Sequence, residues 1–225
     1  MGTSDCERIG DGLLGQPVNT FTSLAYVAVG ALLLRRALVS RSPALVVYAT
    51  TVVSIGIGSA AFHGPMPSWG RFAHDFSIAA VLAFVIAYDV ALVRGAGVQS
   101  ALVGFAVLLG ACAIVLAIWH DVSNALDAVL VVGAVIAEVA VARSPRRLAS
   151  LRGLMRAPAV WILGGMVLAI GAALNVLGRT DAPLCDPDSL VQLHGAWHVL
   201  TAALLWVYGV GVLEPREQAR RIIPA

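Results

Sequence analysis

The chain has 225 residues, of which 59% are hydrophobic and 12% charged, with a formal net charge of +2 and a mean hydropathy of +0.87. Soluble domains carry about 25% charged residues, so the composition excludes an ordinary soluble fold, and nothing in it resembles the basic surface of a nucleic-acid binder. It fits one all-α integral-membrane domain over residues 1–225, whose apolar runs of about 20 residues cross a bilayer roughly seven times.

Residues 1–17 are polar and Gly-rich. Asp5, Glu7 and Asp11 against a single Arg8 reverse the charge of a signal-peptide n-region, so the first span is expected to direct insertion itself. Spans are predicted at about 18–40, 43–63, 69–93 and 99–118, from the length that a bilayer requires. Pro43 opens the second, and Gly64-Pro65-Met66-Pro67 forbids its continuation. After a turn at His120-Asp121 a fifth span reaches about 142, a sixth covers about 157–177 and a seventh about 190–213, leaving 214–225 as a tail. The polar loop before the seventh holds Pro183, Cys185 and Pro187.

Every basic residue is an arginine, and their distribution sets the orientation. An outer N-terminus puts Arg35, Arg36, Arg41, Arg94, Arg143, Arg146, Arg147, Arg152, Arg156, Arg216, Arg220 and Arg221 inside and leaves only Arg8, Arg71 and Arg179 outside. Seven spans with the N-terminus outside and a cytoplasmic C-terminus satisfy that bias. The Arg-only, Ala- and Val-rich composition points to a bacterial inner membrane, whose outer side is periplasmic. Cys6 and Cys185 then both face an oxidising compartment and are expected to form a disulfide, while Cys112 lies inside the fourth span as inert packing.

The same topology brings all five histidines to the outer end. His63 closes the second span, His74 opens the third, His120 sits in an outer turn, and His194 and His198 begin the seventh. Ser59 and His63, like His194 and His198, are spaced four apart, so each pair shares one helix face. At about 1.5 Å rise per residue, Ser59, Asp75 and His198 reach similar depths. Polar groups converging in a bilayer demand partners.

A His-x3-His pair alone reads as hydrogen-bonded packing. With His63 added, the three imidazoles make a sufficient protein set for a catalytic zinc. Asp75 is then either an ion-pair partner of Arg71, one turn away, or the carboxylate that orients water and accepts its proton. Ser59 either satisfies a carbonyl of its own helix or donates to a developing oxyanion. His74 points about 100° away from Asp75 and stays outside the ligand set. Asp89 and Glu138, toward the inner ends of their spans, are expected at the inner interface or paired with the arginine-rich segments. His120 and Asp127 receive no role.

Taken together, Asp5-Cys6-Glu7, Gln16-Pro17-Val18-Asn19-Thr20, Gly58-Ser59-x3-His63, Trp69-Gly70 through Asp75, and Leu193-His194-Gly195-Ala196-Trp197-His198 with Thr201 resemble the alkaline ceramidase family. That family belongs to the CREST group of seven-helix membrane hydrolases, which also holds adiponectin-type receptors and GPI-remodelling lipases. The resemblance spans nearly the whole chain, with helices four to six contributing least. It implies zinc on His63, His194 and His198, water activation by Asp75, carbonyl assistance by Ser59 and an outer disulfide. The implied substrate is ceramide, cleaved to a long-chain base and a fatty acid, so the implied partner is a membrane lipid.

Some family members also bind calcium through an acidic N-terminal segment. Here Asp5, Glu7 and Asp11 would supply it, Gln16 replaces a family glutamate, and fewer carboxylates imply weaker binding. Phe76 stands where an acidic residue commonly follows the family aspartate. The rival expectation is a receptor or scaffold of the same group, with a structural zinc and a lipid-sensing pocket. A channel would need ionisable residues throughout the bilayer, whereas these cluster at one end.

Overall fold

The computed structural model describes residues 5–144 and 157–222. Arg146, Arg147, Arg152 and Arg156, assigned to the inner side by the arginine bias, lie outside the described residues. The fold is helical: α1 (Pro17–Ser40), α2 (Pro43–His63), α3 (Gly70–Arg94), α4 (Val98–Ile118), α5 (Ser123–Arg143), α6 (Ala157–Leu177), α7 (Leu193–Tyr208) and α8 (Glu214–Ile222). Six helical stretches among the described residues are long and apolar enough to cross a membrane, the last running through Leu193–Gln218, and Ile162–Leu177 is a shorter apolar helix.

The helix ends follow from local chemistry. Pro17 and Pro43 occupy first-turn positions, where a missing N–H costs nothing. Ser42 caps α2 by accepting from the Leu45 N–H at 3.2 Å. No local side chain caps α1. Its free amides are met instead by Glu7, whose carboxylate accepts from Val18 N–H at 2.7 Å and Asn19 N–H at 2.8 Å. At the end of α3, Gly95 takes a positive φ of 70° and Ala96 N–H returns to the Ala91 carbonyl at 2.8 Å, the left-handed termination that glycine permits.

α2 and α3 are the centre of the bundle. Each buries 56% of its apolar window, against 17% for α4 and 22% for α5, so the latter two present most of their surface outward. Tyr48, Leu45, Val52, Phe84 and Tyr88 fill the space between α2 and α3, joined by Leu33 of α1. The small residues on α2 set the spacing. A Cβ at Gly56 would lie 2.6 Å from Val27 of α1, and one at Gly58 would lie 2.6 Å from the Ala73 carbonyl of α3. Backbone contact of this kind is how helices associate in lipid, where apolar burial alone gives no drive. Its effect is to hold the His63 end of α2 against the start of α3.

The histidine-bearing end of the bundle carries a strap formed by the N-terminal segment. Cys6 N–H bonds the Gly178 carbonyl at 3.3 Å, Arg8 N–H bonds the Pro187 carbonyl at 3.0 Å, and Gly15 and Gln16 N–H bond the Gly64 and His63 carbonyls at 2.8 Å each. Arg8 forks onto Asp188 at 2.7 and 2.6 Å and holds that carboxyl below its usual range, an exposed pair that orients the strap more than it stabilises it. Cys6 and Cys185 are disulfide-bonded, as expected, and Cys112 is a buried free thiol.

The opposite end differs from the sequence expectation. Residues 214–225 read as a cytoplasmic tail, and within them the helix of α7 continues through a π-helical turn at Gly209–Leu213 into α8. That continuation carries Arg216, with its side chain only 1% exposed, to Asp89 at 2.8 Å and Glu138 at 2.7 Å. Ser42 and Tyr88 meanwhile donate to Glu217 at 3.0 and 2.8 Å. The extra residue of a π turn rotates the helix beyond it, which the hydropathy pattern cannot register.

Arg216→Met strands two carboxylates in the interior, and the expected loss is about 3–5 kcal/mol, read as a lowered thermal midpoint in detergent. Thiol labelling of the unfolded, non-reduced chain is expected to modify Cys112 alone, with Cys6 and Cys185 reacting only after reduction.

Candidate metal centre

His63 ends α2, where Gly64 and the following prolines stop the helix, and His194 and His198 occupy the first two turns of α7. The packing of α1 between α2 and α7 brings the three together beneath the strap. His63 is fully buried and His198 is 2% exposed. One ring nitrogen from each lies within 4.8 Å of the others, and among the described residues this is the group of His, Cys, Asp and Glu so arranged.

The hydrogen bonds around the rings decide which nitrogens converge. His63 Nδ1 is 2.7 Å from Gln16 Oε1, while the Gln16 amide nitrogen donates to the Glu7 carbonyl at 2.8 Å. The amide is thereby fixed with its oxygen toward the ring, so His63 Nδ1 donates. His194 Nδ1 lies 2.8 Å from Asn175 Oδ1 and 3.5 Å from Asp5 Oδ1, both acceptors. His198 Nδ1 lies 3.1 Å from Thr22 Oγ1, whose own proton goes to the Val18 carbonyl at 2.8 Å. Thr22 therefore accepts, and His198 Nδ1 donates as well.

All three imidazoles are held as the Nδ1–H form, which leaves three Nε2 lone pairs. Those of His63 and His194 are buried without a hydrogen-bond partner. An orphaned acceptor pair inside a well-bonded interior needs a reason. A metal ion supplies one, because ligating histidines anchor the second nitrogen to a carboxylate or carbonyl in this way. Imidazole nitrogens suit zinc, copper, iron and nickel ions.

Ser59 borders the set. Its Oγ is 3.4 Å from His198 Nε2 and 2.8 Å from Ser23 Oγ, and Ser23 gives its proton to the Asn19 carbonyl at 2.7 Å. The Ser59 hydroxyl therefore bonds to other side chains, not to its own helix. Asp75 stands outside the converging group. Its Oδ1 is 2.8 Å from His74 Nδ1 and its Oδ2 3.7 Å from Arg71 Nε, so the ion-pair expectation survives as a loose contact. His74 lies close to the triad, its ring centre 6.0 Å from that of His63.

The acidic residues named for calcium do not gather. Glu7 spends both oxygens on α1, Asp5 lies between His194 and His63 with its second oxygen 3.9 Å from His63 Nδ1, and Asp11 is exposed in the strap. Asp5 and Glu7 thus serve the histidines and the helix that covers them. Gln16, Thr22 and Asn175, which orient the three rings, have no metal-ligand spacing to betray them; Gln16 alone falls within a motif singled out in the sequence.

The chain matches the Ceramidase family over residues 13–218. It belongs to that family. No curated protein matches the chain. Family membership supports a ceramidase-like hydrolase acting on lipid amides, and the metal dependence of that family agrees with three histidines, two buried and one half-buried, able to hold an ion.

Replacing Gln16 with Leu frees the His63 ring without removing a ligand. Metal affinity is expected to fall about 10–100-fold, measured by competition with a chromophoric chelator, whereas His63→Ala should eliminate stoichiometric binding.

Proposed function

We propose that the protein is an intramembrane zinc-dependent hydrolase that cleaves the amide of a ceramide-like lipid to a long-chain base and a fatty acid. The observation that carries this reading is the arrangement of three imidazoles, each anchored through Nδ1, with one ring nitrogen of each within 4.8 Å of the others. His63, His194 and His198 would hold the ion. When bound, zinc supplies Lewis acidity that polarises a carbonyl and makes water nucleophilic near neutral pH.

The remaining chemistry falls to the chain itself. Asp75 accepts the proton of the attacking water and returns it to the departing amine nitrogen, the dual role of a general base and acid. Ser59 turns its hydroxyl from Ser23 toward the amide oxygen as negative charge grows there. The strap, drawn across the ends of α2 and α6 and tied by Cys6–Cys185, shields the rings from bulk water, so these interactions operate at low dielectric. The arginine distribution supports seven spans with the metal centre toward the outer, periplasmic face of a bacterial inner membrane.

Purified protein is expected to contain about one zinc per chain, as a three-histidine site binds one ion, and to release fatty acid from a labelled ceramide. His198→Ala should abolish both the metal and the release, while Asp75→Asn should retain the metal and lose at least about 100-fold in kcat, the upper part of what a positioned acid–base group contributes. Chelation should stop turnover and added zinc restore it. A zinc-replete protein that turns over no lipid amide, and whose bundle unfolds on chelation, would instead be the structural-zinc receptor.

A further inference from the structure

His74 and Asp75 are neighbours in sequence, and their side chains leave a helix about 100° apart. Adjacent residues on a helix do not normally face each other. Here His74 Nδ1 nonetheless reaches Asp75 Oδ1 at 2.8 Å. The ring is held in that orientation by its surroundings. It lies against Phe62, with ring centres 4.9 Å apart at 32°. Phe62 in turn meets His63 edge-on, also at 4.9 Å. The contact of Gly58 with the Ala73 carbonyl keeps α2 and α3 close enough for this stack to form.

A carboxylate accepts only, so the bond requires a proton on His74 Nδ1, and its acceptor is charged, which makes it stronger than a neutral pair. The side chains are 18% and 13% exposed, so water competes weakly for either. With Oδ1 engaged, the carboxylate is no longer free to rotate. Oδ2, which Arg71 Nε approaches only to 3.7 Å, is the oxygen left to take a proton.

We propose that His74 is a positioning residue for Asp75: it fixes the carboxylate in one rotamer beside the histidine triad and leaves Oδ2 to receive the proton of the attacking water. This rests on Asp75 being the base of the proposed hydrolysis. A surface pair with no such role would have the same bond length, so the test must separate alignment from packing.

The full chain, loaded with zinc in detergent, is compared with His74→Phe and His74→Asn. Phenylalanine keeps the stack on Phe62 and removes the donor, whereas the asparagine amide places an N–H near the Nδ1 position. His74→Phe is expected to keep the parent's zinc content and KM and to lose about 10–100-fold in kcat, the scale on which misplacing a reacting group acts. His74→Asn is expected to regain most of that loss. Nitrogen NMR of histidine-labelled protein gives an independent readout: His74 should be the Nδ1–H tautomer, and Asp75→Ala should abolish that preference.

A His74→Phe enzyme with kcat within about twofold of a working parent, far below the effect of a displaced base, overturns the inference and leaves the proposed function standing. Loss of zinc together with equal loss in both variants also overturns it, because His74 would then support the fold. A zinc-loaded parent that hydrolyses no lipid amide removes the base reading and this inference with it. If His74→Phe does not accumulate, the tautomer and the His74→Asn kinetics decide: an Nε2–H ring or an inactive His74→Asn counts against it.

Discussion

Three hydrogen bonds, one to the Nδ1 of each histidine of the triad, are the constraint on which this end of the bundle depends. An imidazole buried among apolar helices is costly unless both its nitrogens are accounted for. Gln16, Asn175 and Thr22 account for the first nitrogen of each ring, and in doing so they force the second to present a lone pair. Each of two acceptors is itself tied down. Gln16 donates to the Glu7 carbonyl, and Thr22 gives its proton to the Val18 carbonyl. Two of the rings are therefore oriented by the backbone of the strap and of α1 and the third by Asn175 of α6, so the lone pairs are set before any ion is considered.

This explains why the strap holds so many polar residues that do no chemistry. Glu7 closes the open amides of α1, which positions Thr22 and Ser23 against His198 and Ser59. Asp5 lies between His63 and His194. The disulfide to Cys185 fixes the strap to the loop that leads into α7. At the opposite end of the bundle, Arg216 gathers carboxylates from α3 and α5 in the same manner. The chain between these two polar layers is apolar and joined by helix contacts such as that at Gly56.

The membrane fold was legible because long apolar runs and proline-marked ends translate directly into helices, and observed bounds such as Pro43–His63 fall where the residues indicate. The convergence of the histidines was legible for a related reason: four-residue spacing places His194 and His198 on one face, and Ser59 and His63 on another. The groups that orient those rings were not. Gln16 and His63, or Asn175 and His194, meet through tertiary packing, and no periodicity connects them. The bend that buries Arg216 was hidden because a π turn adds a residue without changing hydropathy. Pairing His74 with Asp75 contradicts the helical angle between neighbours, so only the stack on Phe62 reveals it. Of the carboxylates named for calcium, Glu7 caps α1, Asp5 lies between two of the rings and Asp11 is exposed.

The positions of the three histidines along the chain impose an order on biogenesis. His63 emerges early from the ribosome, but His194 and His198 lie within the last apolar helical stretch, and the cysteine that tethers the strap comes only shortly before them. A nascent chain therefore has no complete cage to offer. If the three histidines hold an ion, the set is complete only once α7 has packed beside α1, so metal binding would report a finished assembly and not template it.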